Sequence, residues 1–141
     1  MAAEAVIFFD PAKAWEFELR RKRGGHLFSK MRFVAAQMEA WLADGLWLRL
    51  AGHANAMADR LAAGIRAAGA EVTEPVGANM VFARITLAQH RRLQAEGARY
   101  YPWPRGQAME GPGDAALSIR LVPSFATTEE EVDRFCTLLA G

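Results

Sequence analysis

Leu50, Ala54, Met57, Leu61 and Ile65 recur at spacings of three and four residues, the pattern of one long helix that buries a single stripe. Arg49, Asp59, Arg60 and Arg66 fall largely outside the stripe, and Gly69 closes the run. Such a helix is stable only when other elements cover its apolar side. A chain of 141 residues has room for one ordinary domain with a substantial core and little room for two. With 52% hydrophobic and 23% charged residues it reads as globular, not disordered or fibrous.

Upstream, Ala5–Phe9 is a short apolar run closed by Asp10-Pro11. It predicts a strand buried on both faces, then a helix with Asp10 as N-cap and Pro11 in its first turn. A strand buried on both faces needs neighbours on both sides, so preceding structure is expected to be supplied elsewhere or to be missing. The helix runs into Arg20-Arg21-Lys22-Arg23 and stops at Gly24-Gly25; Ser29 is the expected cap of a second helix carrying Met31, Val34, Met38 and Leu42, with a break or bend at Asp44-Gly45.

Downstream of Gly69 the composition changes. Met80–Ile85 is rich in aromatic and β-branched residues and reads as a strand, Thr86 as the cap of a helix to about Glu96, and Arg99–Tyr101 as a further strand. Gln107–Asp114 is a Gly/Pro-rich loop, and Ala116–Val122 alternates between apolar and more polar positions. Thr128 and Glu131 form a capping box for a terminal helix lined by Val132, Phe135, Cys136 and Leu139. The second half therefore reads as a small two-layer α/β unit, an antiparallel sheet covered by two helices.

Several function classes are disfavoured. A net charge of +1 gives no field for nucleic acid or an anionic membrane, and no run is long enough for a signal peptide or a membrane span. The one cysteine, Cys136, forbids an intrachain disulfide and sits in an apolar helical stripe as a core residue, which suits a reducing, cytoplasmic setting. His26, His53 and His90 lack metal-ligand spacing, so no metal site is expected; there is no dinucleotide fingerprint or P-loop.

Two features carry possible chemistry. Arg20–Arg23 with Lys30 and Arg32 could bind phosphate, or could be a solvated helix end where cations are favourable. Arg120, between Ile119 and Leu121 on a strand, needs either solvent or a bound anion such as a carboxylate, for which a guanidinium offers a two-point grip. Trp103, between two prolines, marks a rigid exposed loop.

Glu4–Phe9, Arg21–Phe33, Ala43–Trp47, His53–Ala58 and Ile119–Thr127 together resemble, in order and spacing, the C-terminal portion of the low-specificity L-threonine aldolase family, within the aspartate-aminotransferase-like superfamily of pyridoxal-phosphate enzymes. The resemblance runs over essentially the whole chain. It implies the C-terminal part of that α/β fold: residues 1–45 as the end of the large cofactor-binding domain, 46–70 as a long connecting helix, and 71–141 as a small α/β domain. It also implies a homo-oligomeric lyase that cleaves L-threonine or a related β-hydroxy-α-amino acid to glycine and an aldehyde.

By the same resemblance, Arg120 matches the arginine that grips the substrate carboxylate, and Lys30 and Arg32 fall in the basic segment near the cofactor phosphate, with His26 and Lys22 as weaker candidates. The family's Schiff-base lysine lies just before the segment matched by Glu4-Ala5-Val6. Lys13, Lys22 and Lys30, the chain's lysines, do not match it, so no catalytic lysine is expected here and the chain is expected to be a truncated portion, inactive alone. The alternative is a noncatalytic remnant or interaction subunit that requires a complementary N-terminal chain.

Overall fold

In the computed structural model, which describes residues 3–27 and 29–141, the chain divides into two compact units, Met1–Trp47 and Leu48–Gly141. Met1, Ala2 and Phe28, which belong to segments quoted above, lie outside the described residues.

The first unit holds α1 (Ala14–Arg23) and α2 (Arg32–Leu42), with one-turn 3-10 helices at Pro11–Lys13 and Ala43–Gly45. Asp10 is the expected cap: its carboxylate accepts from the Ala12 N–H at 3.0 Å, and Pro11 opens the turn that leads into α1. Arg20–Arg23 occupy the last turn of α1, where unpaired carbonyls favour cations, and Gly25 leaves the helix at φ 76°.

Two expectations fail in this unit. Ala5–Phe9 is not a strand: the backbone is irregular, Ile7 is 77% exposed and Phe9 98%. The described strands all lie between residues 71 and 121, so this segment has no ladder partner for its N–H and C=O groups and its apolar side chains have no sheet to enter. Ser29 does not cap α2. Lys30 turns the chain at φ 67°, Met31 holds the cap position without a side-chain bond, and Ser29 lies too far upstream to reach the orphan donors. The break near Asp44-Gly45 is present, with Asp44 itself at φ 50°.

The second unit begins inside α3 (Leu46–Ala67) and continues through β1 (Glu71–Val72), β2 (Val81–Thr86), α4 (Leu87–Ala95), β3 (Tyr101–Pro102), β4 (Ala116–Leu121) and α5 (Glu129–Ala140). The sheet order is β1-β2-β4-β3 and every pairing is antiparallel. The β2–β4 register runs from Val81 opposite Leu121 to Thr86 opposite Ala116. Period two then sends Val81, Ala83, Ile85, Leu117, Ile119 and Leu121 to one face, where all are buried. Met57, Leu61 and Ile65 of α3 join the same core as Leu87 and Leu93 of α4 and Val132 and Leu139 of α5. Three helices therefore contribute to the core, one more than the two expected, because the α3 stripe is the apolar surface the sheet requires.

The opposite sheet face carries Phe82, Arg84, Ser118 and Arg120, none of them fully buried. Thr86 and Thr128 each form a capping box, with Gln89 and Glu131 respectively. The third expected strand is displaced to Tyr101–Pro102, and β1, two residues long, is too short to leave a periodic signal. No described helix is long and apolar enough to cross a membrane.

Candidate functional site

Arg120 sits near the end of β4, opposite Phe82 on one side and Tyr101 on the other. The flanking Ile119 and Leu121 point into the core, so alternation alone turns Arg120 to the open face. There it lines a cavity of about 360 Å³ with Tyr101, Trp103, Arg105, Gln107 and Met109. Two of the lining residues are cations and none is acidic.

The guanidinium carbon lies 4.6 Å from the centre of the Trp103 ring, a cation–π distance. Arg120 Nε is buried and has no hydrogen-bond partner among the described residues. The ion pairs at Arg20, Arg60, Arg84 and Arg134 do not involve Arg120. An arginine kept only for structure normally ends on a carboxylate or a carbonyl. This one keeps its charge next to a cavity that holds no counter-charge.

The wall opposite is tied down through backbone bonds. Trp103 N–H donates to Ser118 O at 2.9 Å. Gln107 then pairs with the same residue from both ends of its amide: Oε1 accepts from Ser118 N–H at 2.9 Å, and Nε2 donates to Ser118 O at 2.8 Å and to Pro104 O at 3.0 Å. The Gln107 side chain thus stands in for a strand residue beside β4, just past the point where β3 ends. In the sequence Trp103 and Gln107 read as loop residues with no link to Arg120; a side-chain amide pairing with a strand leaves no periodic trace.

Lys30 and Arg32 belong to the first unit, whereas Arg120 belongs to the second. Both are exposed: Lys30 in the turn before α2, Arg32 as its first residue with its guanidinium 5.0 Å from the Phe33 ring centre. Lys22 and His26 are exposed as well.

The remaining reactive side chains have structural partners. His90 is buried, with Nδ1 2.8 Å from the Tyr100 hydroxyl; burial first, and the neighbouring Arg91 charge second, hold its pKa below the ordinary value. Burial pushes the Tyr100 phenol up to about 12, so it stays protonated, and its ring packs edge-on against Phe135. A second cavity of about 340 Å³ beside it is lined by apolar Leu61, Leu121, Val132 and Leu138 together with charged Glu96, Arg99, Glu131 and Arg134. His53 Nε2 lies 2.7 Å from Thr127 O. Burial raises the pKa of the Cys136 thiol, and Asp133 raises it further, which is opposite to what a nucleophile needs. Among the described residues no three His, Cys, Asp or Glu side chains are grouped to hold a metal.

No family model matches the chain. It is 40% identical, over 99 residues, to the low-specificity L-threonine aldolase of a Pseudomonas species, and 41% identical over the same length to that of Pseudomonas aeruginosa. The chain is homologous to low-specificity L-threonine aldolase. Each match takes in 70% of this chain and 29% of the aldolase, so the chain spans under a third of the length of these relatives. The threonine aldolase of Leishmania major superposes with a TM-score of 0.72 at 29% identity, covering 84% of this chain and 33% of that one. Sphingomonas wittichii serine palmitoyltransferase shares the fold alone, with a TM-score of 0.50 at 17% identity over 63% of this chain and 23% of its own. The α/β fold with its antiparallel sheet is that of the fold-type I pyridoxal-phosphate superfamily.

A pyridoxal-phosphate site needs a lysine to carry the cofactor. This aldolase homologue has three, Lys13, Lys22 and Lys30; all are exposed in the first unit, and the unit with the Arg120 cavity has none. None of the three lines the Arg120 cavity.

Proposed function

We propose that this chain supplies the substrate-carboxylate site of a threonine-aldolase-like lyase acting on L-threonine or a related β-hydroxy-α-amino acid to give glycine and an aldehyde. The observation that carries the proposal is Arg120: half-buried, without an acidic partner among the described residues, and on the wall of a cavity lined by a second arginine and no acid. A planar guanidinium with free terminal N–H groups offers two parallel bonds to a carboxylate, which fixes the α-carbon of an amino acid relative to the strand. The family's pyridoxal phosphate would be held mainly outside this chain. Lys30 and Arg32, exposed and cationic, are the residues assigned to its phosphate side, and residues 1–45 to the end of the domain that binds it.

The test has two arms. The 141-residue chain, incubated with pyridoxal phosphate, reduced and peptide-mapped, is expected to show no stoichiometric adduct at Lys13, Lys22 or Lys30 and no aldehyde release from threonine. In a full-length enzyme in which this chain replaces the homologous portion of the Pseudomonas aldolase, Arg120→Ala should lower kcat/KM by roughly 10²-fold or more, about 3 kcal/mol of transition-state stabilisation. Arg120→Lys should recover only part of that, because an ammonium cannot reproduce a planar fork. Near-wild-type kcat/KM in the alanine variant, at equal folding and cofactor occupancy, rejects the assignment.

One observation favours a second reading, in which the chain works only when joined to a complementary polypeptide, in a homo-oligomer or a split enzyme. No described residue of the first unit is buried, and Ile7, Phe9, Trp15 and Phe33 are all exposed. Recovery of threonine cleavage on co-expression with the lysine-bearing portion of the Pseudomonas aldolase would support it; a chain that stays soluble, monomeric and indifferent to that portion would reject it.

A further inference from the structure

We propose that Trp103 is a positioning residue for Arg120, and that Gln107 holds Trp103 in place. This rests on the reading of Arg120 as the carboxylate grip and adds how the grip keeps its geometry. An arginine carries several rotatable bonds, and a guanidinium free to wander loses rotamer entropy each time it binds. The usual restraint, a fixed carboxylate, would neutralise the charge the ligand needs. Here the restraint is the indole ring at 4.6 Å, which attracts the cation through its quadrupole and leaves the terminal N–H groups unspent.

The buried Arg120 Nε has no oxygen acceptor among the described residues, so the ring is what steadies the base of the fork. The backbone that carries the ring is held on the same strand as the arginine. Trp103 N–H and both ends of the Gln107 amide bond the backbone of Ser118, two residues before Arg120 and on the same face of β4. Ring and guanidinium are therefore referred to one rigid strand, and the loop cannot shift without breaking the Ser118 pairing.

The test uses the full chain, labelled for detection of arginine Nε–H resonances, with glycine as the carboxylate probe. Wild type is expected to show an Arg120 Nε–H signal displaced by the ring current and moved further by glycine. In Trp103→Leu the displacement should vanish and the glycine midpoint should rise about fivefold, the scale of one exposed cation–π contact. Trp103→Phe should restore most of both, and Gln107→Ala should shrink the ring-current displacement while leaving unit folding intact. Arg120→Ala tests the underlying reading alone: a glycine response that survives it, at whatever resonances report it, overturns the carboxylate site and with it the proposal. A glycine midpoint unchanged in Trp103→Leu, with the response lost in Arg120→Ala, overturns the positioning role and leaves the carboxylate site standing.

Discussion

Gly64 shows how one missing side chain sets the distance between two helices. A Cβ built there would lie 2.3 Å from Cys136 Sγ and 3.0 Å from Cys136 Cβ, so α3 and α5 meet at a spacing only glycine allows. Glycine in mid-helix costs about 1 kcal/mol relative to alanine. The close approach leaves the thiol opposite half-buried, and burial raises its pKa. Gly64→Ala is expected to destabilise the second unit by about 1–2 kcal/mol, overpacking outweighing the gain in helix propensity. Cys136→Ala in the same chain should recover part of the loss, since the sulfur is the nearer obstacle. Urea denaturation of the four proteins of the cycle measures this; additive effects would show that the two sites are not in contact. Cys136 was legible in the sequence as a core residue, from the apolar stripe around it. Its partner was not, because Gly64 breaks no pattern and a clash across two helices is a property of packing alone.

At the scale of the element, α5 shows which ends of a helix the sequence reveals. Its start was readable: Thr128 accepts from the Glu131 N–H, and the Glu131 carboxylate returns the bond to Thr128 N–H at 2.9 Å, both partners lying within one turn. Its end is held from far along the chain. Arg92 on α4 donates from Nε to Leu138 O at 2.5 Å and from a terminal nitrogen to Leu139 O at 2.9 Å, and Gln89 adds Nε2 to Leu139 O at 3.1 Å. These are carbonyls that a helix leaves unpaired at its C-terminus, and a cation there also opposes the helix dipole. Arg92→Met, which keeps an apolar stem and removes the donors, is expected to lower stability by about 1–2 kcal/mol, midway between a surface contact and a buried charged bond. Hydrogen exchange should place the loss in the last turn of α5, and uniform loosening of the sheet instead would contradict the assignment. The Arg120 site follows the same division. Its arginine could be read from strand alternation, while Trp103 and Gln107 reach it only through backbone bonds to Ser118.

Across the whole molecule, the two units differ in what holds them. From α3 onward, leucine, isoleucine and valine side chains with almost no exposure fill one core, each contributing about 1.5–3 kcal/mol of burial. The first unit has no buried residue among those described, and its helices, of 10 and 11 residues, are shorter than the roughly 12–15 at which an isolated helix becomes even marginal in water. Its ring pair, Phe8 with Phe17 at 5.2 Å, contributes about 0.5–1.5 kcal/mol, and the Arg20–Glu16 pair across one helical turn is exposed to solvent. They cannot offset backbone ordering that costs about 1–2 kcal/mol per residue. The apolar run at Ala5–Phe9 has the composition of a buried strand, but the described residues do not bury it on either face. Native-state hydrogen exchange on the 141-residue chain is therefore expected to show strong protection in β2, β4 and the middle of α3, and near-unprotected rates through α1 and α2. Joined to the portion of the Pseudomonas aldolase that this chain does not match, the same amides in α1 and α2 should become protected while those of the sheet change little. Protection in α1 and α2 equal to that of β4 in the chain by itself would mean that the first unit needs no cover, and the second reading of its function would fall with that result.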